Sequence, residues 1–337
     1  MILYGNAYTA AALSRRAALT FLISAAIGPR LASAAEAVPP AFPKQRMTLI
    51  VPFSAGGPVD VLGRLLAQDY QERTGVPAVV ENKTGGAGNV GIEFVKNAAP
   101  DGTTLLLIPA GNLTINPTLM KDLAFNVQRD LAPITLLASA PNLFVVAPQL
   151  GVATISQLLD RAKTKTLTYG SPGVGSQLHL AMELFKDKTG VDLVHVPYRG
   201  SPQALDDLLG GHIDVLSTNL PAVLPAIEAK TVTPLAMTTA QRSPLVPDVP
   251  TLAEAGVPGI DVTSWYGMLA PQAIPGDVRD AIYAVTKDIL DQPGLSDKLK
   301  DQGLTVMTET PDAFDQRIRR ETAIWADIIK KRNISLQ

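Results

Sequence analysis

The chain of 337 residues contains no cysteine and three histidines, His179, His195 and His212. Without cysteine there are no disulfides, no thiolate metal ligands and no thiol catalysis, so packing alone must hold the fold. The histidines form no HxH or HxxxH pair of the kind that binds zinc, and no metal site is expected. Basic charge is also scarce: 29 Lys and Arg face 31 Asp and Glu. That balance argues against a nucleic-acid surface. No apolar run approaches the roughly 20 residues that a membrane-spanning helix needs.

The longest apolar run near the start, Ala17 to Ile27, follows Ser14-Arg15-Arg16 and reads as an export signal. Cleavage is expected after Ala34, through the small-residue pattern Ala32-Ser33-Ala34, with Ala35-Glu36-Ala37 as a second place. The arginine pair points to twin-arginine export, but Ala18 stands where an aromatic is usual, which leaves general secretion open. Either route ends in the periplasm. Removing the leader takes Arg15, Arg16 and Arg30 and no acidic residue, leaving a more acidic mature chain.

About 300 remaining residues exceed what one core serves well and favour two domains. Strands and helices alternate at α/β spacing. The pattern predicts a strand over Thr48 to Val51, a helix over Asp60 to Arg73 closed by Gly75, and strands at Ala78 to Val80 and Thr104 to Ile108. A helix is expected between those last two, from Asn89 to Ala98. After strands Ala132 to Leu137 and Leu143 to Ala147 the same alternation resumes through Thr238. Such patterning predicts a mainly parallel sheet in each domain, flanked by helices. The expected division is a discontinuous first domain, 35–138 plus 264–337, and a second, 139–263, with a ligand cleft between them. Helices at Gly276 to Leu290, Leu295 to Gln302 and Pro311 to Lys331 are expected to pack back on the first domain; the last carries an apolar stripe of Phe314, Ile318, Trp325 and Ile329.

Two turns stand out. Phe53-Ser54-Ala55-Gly56-Gly57-Pro58-Val59-Asp60 follows the first strand and opens a helix, and Ser171-Pro172-Gly173-Val174-Gly175-Ser176 does the same before the helix that carries His179. Small residues at a helix start, with its unfilled N–H groups, suit an anion, and neither turn contains a cationic side chain. Facing each other across a cleft, the two could hold a carboxylate on main-chain donors. Each feature also has a plainer reading. Gly56-Gly57 can simply permit a tight turn, Asp60 can cap its own helix, and His179 can be structural. Arg199 offers charge to a second carboxylate or else lies in solvent, and Phe53 either stacks on solute or fills the base of its turn.

Gly86-Ala87-Gly88-Asn89-Val90-Gly91 spells the glycine pattern of a dinucleotide fold, but the acidic residue due about 20 positions later is missing. It is assigned to a helix start, and no cofactor is expected. Nor is there a nucleophile elbow, because Gly170 and Gly173 have the wrong spacing around Ser171. A hydrolase built on Ser171 and His179 remains a minor alternative without an orienting acid.

The segments PFSAGGPVDVLGR, PDGTTLLL, YGSPGVGSQLHLAMELF, VHVPYRGSPQALDDLLGGHID, LAMTTAQRSPLVPDVPTLAEAG and SWYGMLAP occur in this order. Together they resemble the Bug (TctC-like) family of extracytoplasmic solute-binding receptors, which serve tripartite tricarboxylate transporters. The resemblance implies a two-domain Venus-flytrap receptor, not an enzyme, that captures a small carboxylate, or a related amide or aromatic acid, and presents it to membrane permease subunits. A monomer is expected. The resemblance places ligand contacts at Phe53, Ser54, Ala55, Gly56, Gly57, Val59 and Asp60 in the first turn, and at Ser171, Gly173, Val174, Gly175, Ser176 and His179 in the second, with Tyr198 and Asn219 lining the cleft. Many relatives carry Thr or Ser where this chain has Val59, so a less polar ligand or more main-chain contact is expected. A periplasmic sensor feeding a membrane signalling partner is the alternative use of the same architecture.

Overall fold

The computed structural model describes residues 38–120, 123–331 and 334; the export leader lies outside the described residues. Strand β1 (Met47–Val51) leads through the first glycine turn to helix α1 (Pro58–Thr74). Proline at the first helical position is preset for helix and needs no N–H there. The helix ends at Gly75, whose φ of 72° supplies the left-handed cap. Its buried Val59, Leu62, Leu66 and Tyr70 recur at helical spacing and pack on the sheet. There follow β2 (Ala78–Asn82), α2 (Asn89–Lys96) and β3 (Thr104–Pro109). Three short helices, α3 (Ala110–Thr114), α4 (Asn116–Leu119) and α5 (Val127–Asp130), lead to β4 (Leu131–Ala140).

Pro141 alone separates β4 from β5 (Asn142–Val146), which belongs to the other sheet. That sheet is built by α6 (Ile155–Ala162), β6 (Leu167–Ser171), α7 (Gln177–Thr189), β7 (Leu193–Pro197), α8 (Ser201–Leu209), β8 (Val215–Asn219), α9 (Leu220–Glu228) and β9 (Thr233–Met237). The chain then returns to the first sheet through β10 (Ser264–Pro271), and continues with α10 (Gly276–Leu290), α11 (Pro293–Asp301), β11 (Thr305–Val306) and α12 (Pro311–Lys331).

The strand orders are β11-β4-β10-β3-β1-β2 and β7-β6-β8-β5-β9. Pairings of β1 with β2 and β3, and of β6 with β7 and β8, are parallel, as the alternation predicts. Each sheet becomes mixed where the crossing strands enter: β10 runs antiparallel to β3 and β4, and β5 antiparallel to β8 and β9. The alternating pattern that signals parallel strands is silent there, because β4 and β5 follow one another with no helix between. The runs LAPITLLASA in β4 and NLFVV in β5 are nevertheless mostly apolar and almost wholly buried on both faces, as strands covered on two sides are.

The three C-terminal helices return to the side of the first sheet. Helices α10 and α11 pack on the first sheet, where Ile282, Val285, Ile289, Leu295 and Leu299 join Leu62 and Leu66 in one cluster. Helix α12 runs along β4 of that sheet and along α3 and α4. Phe314 and Ile318 lie with Trp265 and Leu269 of β10, but Trp325 and Ile329 belong to the cluster of Phe144, Leu180 and Phe185 in the second sheet, together with Ile115 and Leu119. The stripe is continuous in sequence yet serves two cores. Polar ties fix its first half: Arg317 bridges Glu309 and Glu321, and the Trp265 indole donates to Glu321 at 2.8 Å.

Phe314 is fully buried, stands edge-on to Trp265 with ring centroids 5.5 Å apart, and covers Gly267. Phe314→Ala should lower the unfolding free energy by about 3–5 kcal/mol, the range for truncating a buried aromatic, as measured by urea denaturation.

Candidate ligand-binding site

The C-terminal ends of β1, β3, β6 and β8 open onto one cavity between the sheets, with about 550 Å³ of space free of atoms, part of it continuous with solvent. One wall comes from the first sheet's side: Phe53, Ser54, Gly57, Pro58, Val59 and Asp60, with Pro109 at the end of β3, Gly111 and Asn112 of α3, and Ser264 and Tyr266 of β10. The facing wall has Pro172, Ser176, Gln177, Leu178, Gly200, Ser201 and Asn219. The starts of α1, α7 and α8 and the residue before α9 therefore converge on the same space. Their dipoles place partial positive charge there, in a lining without Lys, Arg or His.

Which N–H groups are free follows from what the turns already use. In the first turn Gly56 adopts a φ of 79°, a region that glycine enters without strain, and its N–H donates to Asp60 Oδ2 at 2.9 Å. The Ser54 N–H points at the carbonyl of Arg199 across the cleft, at 3.4 Å. Neither is left for a ligand. Gly57, which precedes α1, has no side chain to cap the helix, so the N–H groups of Val59 and Asp60 in the first helical turn stay unfilled. The second turn repeats this arrangement. Gly173 N–H donates to Ser171 Oγ at 3.3 Å, Gly175 N–H to His179 Nδ1 at 3.3 Å, and Ser176 N–H to the Gly173 carbonyl at 3.3 Å. Ser176 caps α7 by accepting from His179 N–H at 3.1 Å, which leaves Gln177 and Leu178 as the open N–H groups.

Asp60 is buried, and its carboxylate is filled by Arg64 at 2.8 and 2.9 Å, Asn82 at 2.9 Å and Gly56 N–H. Burial alone would raise its pKa, but the Arg64, Gly56 and Asn82 hydrogen bonds outweigh it and hold the carboxyl below the ordinary carboxylate value. Its place is the one an acid prefers at a helix start, and its job is to lock the first turn.

Of the predicted contacts, Phe53, Ser54, Gly57, Val59, Asp60, Ser176 and Asn219 line the cavity. Phe53, Gly173, Val174, Tyr198 and Arg199 line a neighbouring recess with Gly85 to Gly88. Ala55 and Gly56 lie in the loop outside both, and Ser171, Gly175 and His179 stand behind the wall. The Tyr198 phenol is turned away to donate to Asp207 at 2.7 Å, and Asn219 donates to Asn142 at 2.6 Å. Gly111, Asn112, Gln177, Ser264 and Tyr266 escaped the reading of the sequence. Ser264 and Tyr266 sit inside an apolar strand that reads as core, and Gly111 and Asn112 in a segment without helical periodicity.

The proposed pairing of Ser171 with His179 does not form. Ser171 is fully buried and its Oγ meets His195 Nε2 at 2.7 Å, while His179 accepts from Gly175. Tyr169, His195 and His179 stack with centroids 4.7 and 4.3 Å apart, and the Tyr169 phenol donates to Glu183 at 2.7 Å. This column supports the second turn from behind. The glycine pattern at 86–91 has a packing origin: a Cβ at Gly91 would stand 2.7 Å from the Pro52 ring, and one at Gly88 2.7 Å from the Asn112 amide.

Two α/β lobes that enclose a cavity at the ends of their strands define a periplasmic-binding-protein fold. The profile of the family described as "Tripartite tricarboxylate transporter family receptor" matches residues 62–334, and the chain belongs to that family. Protein BugT of Bordetella pertussis is 32% identical over 319 residues, 93% of this chain and 98% of its own. Among solved structures, Rpa4515 of R. palustris with adipate has a TM-score of 0.84 at 34% identity, covering 87% of this chain and 99% of its own. MatC from Rhodopseudomonas palustris with bound malate has a TM-score of 0.81 at 30% identity, covering 86% and 100%. The family is one of binding proteins, not enzymes. Among the described residues no helix is long and apolar enough to cross a membrane.

The histidine column makes stability depend on pH. Burial, then the Lys186 charge, holds His179 down to about 4, and burial, then His179, holds His195 down to about 3, from an ordinary 6.5. The unfolded chain binds these protons first, so this contribution is complete above about pH 6.5 and is lost as pH falls toward 4 and 3. Urea midpoints measured at pH 7, 5.5 and 4.5 should fall in that order, and less steeply for His195→Gln.

Proposed function

We propose that this chain is exported, loses its leader near Ala34, and works as a monomeric periplasmic receptor. It captures a small carboxylate and hands it to the permease subunits of a tripartite tricarboxylate-type transporter. The observation that carries this reading is the pair of helix starts with open N–H groups, α1 without a side-chain cap and α7 capped only at His179, meeting in a cavity whose lining has no cation. A carboxylate there accepts from the N–H groups of Val59 and Asp60 on one side and of Gln177 and Leu178 on the other. Charge-assisted bonds to main-chain donors are strong where water is excluded, and the donors need no rearrangement. The adipate and malate held by the two R. palustris relatives support the ligand class.

In this reading the two sheets, parted at Pro141 and again just before Ser264, are the cores of two halves that close on the solute. Closure is set by close backbone approach. A Cβ at Gly111 would lie 2.6 Å from the Gly175 carbonyl and 3.1 Å from Gln177 N, across the cleft. Gly200 likewise lies close to Ser54, where an added Cβ would stand 3.3 Å from the Ser54 Cβ. A ligand that bridges the two helix starts shifts the population toward this closed arrangement by its extra contacts there.

The protein, unfolded and refolded to strip carried solute, should show a saturable upward thermal shift with one class of carboxylates. No shift with any mono- or dicarboxylate sinks the proposal. Gly111→Val should wedge the halves apart, weakening that ligand at least tenfold while the ligand-free melting temperature stays within a few degrees; unchanged affinity would show that Gly111 does not gate closure.

A further inference from the structure

The two crossings between the sheets lie side by side. Ser264 of β10 stands opposite Ala140 of β4, the Asn142 amide donates to the Val262 carbonyl at 3.0 Å, and Thr238 N–H donates to the Asn142 carbonyl at 2.8 Å. Asn142 is fully buried, and these bonds hold the crossings together as one strip. Ser264 lines the ligand cavity. Its neighbour Thr263 lines, with Ser139 and Pro141, a separate groove with about 1300 Å³ of space free of atoms, part of it continuous with solvent. Successive residues of an extended chain point to opposite faces, so cavity and groove lie on opposite sides of the strip.

Both halves wall the groove. One wall is Ser296 and Lys300 of α11, Gly303 after it and Thr305 of β11; the other is the loop 239–245 that follows β9. The two gaps differ in how far they are closed. At the cavity the halves touch, with Ser54 N–H at 3.4 Å from the Arg199 carbonyl and backbone packed on backbone at Gly111. Among the described residues no hydrogen bond or ion pair crosses the groove. Arg242 bonds Glu254 and the Pro247 carbonyl, and Asp261 accepts from Ala240 N–H, all within the second half. The walls come near each other at Gly303, where an added Cβ would stand 3.6 Å from Leu220, Pro221 and Leu245. Leu245 is still 38% exposed there.

Halves that rotate about a strip between two gaps widen one gap as they narrow the other. In this structure the cavity is shut and the groove is wide. Opening the cavity brings the loop 239–245 down on α11 and β11 and covers Leu245, and that loss of exposed apolar surface favours the open form.

We propose that the groove is a counter-cleft: its walls meet when the solute cavity opens, and the contact they make there, centred on Leu245, holds the empty receptor open and sets how tightly solute binds. This rests on the reading that the two halves close on a solute. A ligand shifts two forms only by its differential affinity for them, so the back contact is subtracted from whatever the solute gains on closure. Weakening or blocking that contact raises the closed fraction before solute arrives, and the apparent affinity rises by the same factor. Residues that never touch solute thus tune its binding.

Because the chain has no cysteine, spin labels can be placed on Gln241→Cys and Lys300→Cys, both exposed groove positions, and their separation read by pulsed electron spin resonance. In ligand-free protein that separation should be shorter with Gly111→Val, which props the cavity, than with Thr305→Trp, which fills the groove from an exposed strand position. Titrated calorimetrically with adipate and with malate, unlabelled Thr305→Trp, Ser296→Trp and Leu245→Ala should each bind about threefold or more tightly than the parent. Equal separations in the two labelled variants, or affinities that stay level or fall in all three groove variants, overturn the proposal. The separations need no solute, so a parent protein that binds neither acid counts against the carboxylate reading while the separations still decide the counter-cleft.

Discussion

Helix starts whose first N–H groups stay open organise this receptor. An α-helix begins with N–H groups that lack partners inside the helix, and most proteins satisfy them with a Ser, Thr, Asp or Asn side chain. Here Gly57 has no side chain to offer, and Pro58 removes one N–H outright. Ser176 covers only the third position of α7. The remaining donors face one another across a space whose lining has no cation, so in the proposed binding mode the main chain, and not a lysine or arginine, holds the solute. Every other device at the site keeps that main chain in place: Asp60 clamps the first turn through Gly56, and the Tyr169-His195-His179 column braces the second through Gly175.

A main-chain seat confers a particular kind of selectivity. Backbone donors sit at positions fixed by the fold and recognise the shape of a carboxylate without regard to the rest of the molecule. Discrimination between solutes then falls to side chains elsewhere in the lining, such as Val59, Leu178, Tyr266 and Gln177, which can change without disturbing the seat. One architecture can thus serve many solutes, which fits a family whose solved members hold different acids.

Much of this was legible in the sequence, for physical reasons that differ between regions. Helices α10 and α12 follow from apolar spacing and helix-breaking neighbours, and their observed limits equal the expected ones. The two glycine turns announce themselves because only small residues allow a strand to bend so sharply into a helix. Periodicity could not reveal the mixed pairing, since a crossing strand has the same apolar composition as a parallel one. Nor could it show that Gly56 N–H is consumed by Asp60, which moves the open donors from the loop into the first helical turn; that depends on one side-chain rotamer. Gly111, Asn112, Ser264 and Tyr266 were silent because they contact the cavity from elements that look like core or like an unpatterned loop. The pairing of Ser171 with His195 instead of His179 depends on the alignment of β6 with β7, where Tyr169 stands opposite His195.

The last helix carries a mechanical consequence. At about 1.5 Å per residue its 21 residues extend roughly 30 Å, and a body of that length does not bend easily. Its first half is riveted to the first sheet by Phe314, Ile318 and the Arg317 bridges, while Trp325 and Ile329 reach the other core. The two halves therefore cannot swing apart as freely as a pair joined by strands alone. Opening must slide the second core along the far end of this rod, so the travel of the cleft is set by how far Trp325 can move among Ile115, Leu119 and their neighbours before it loses its socket.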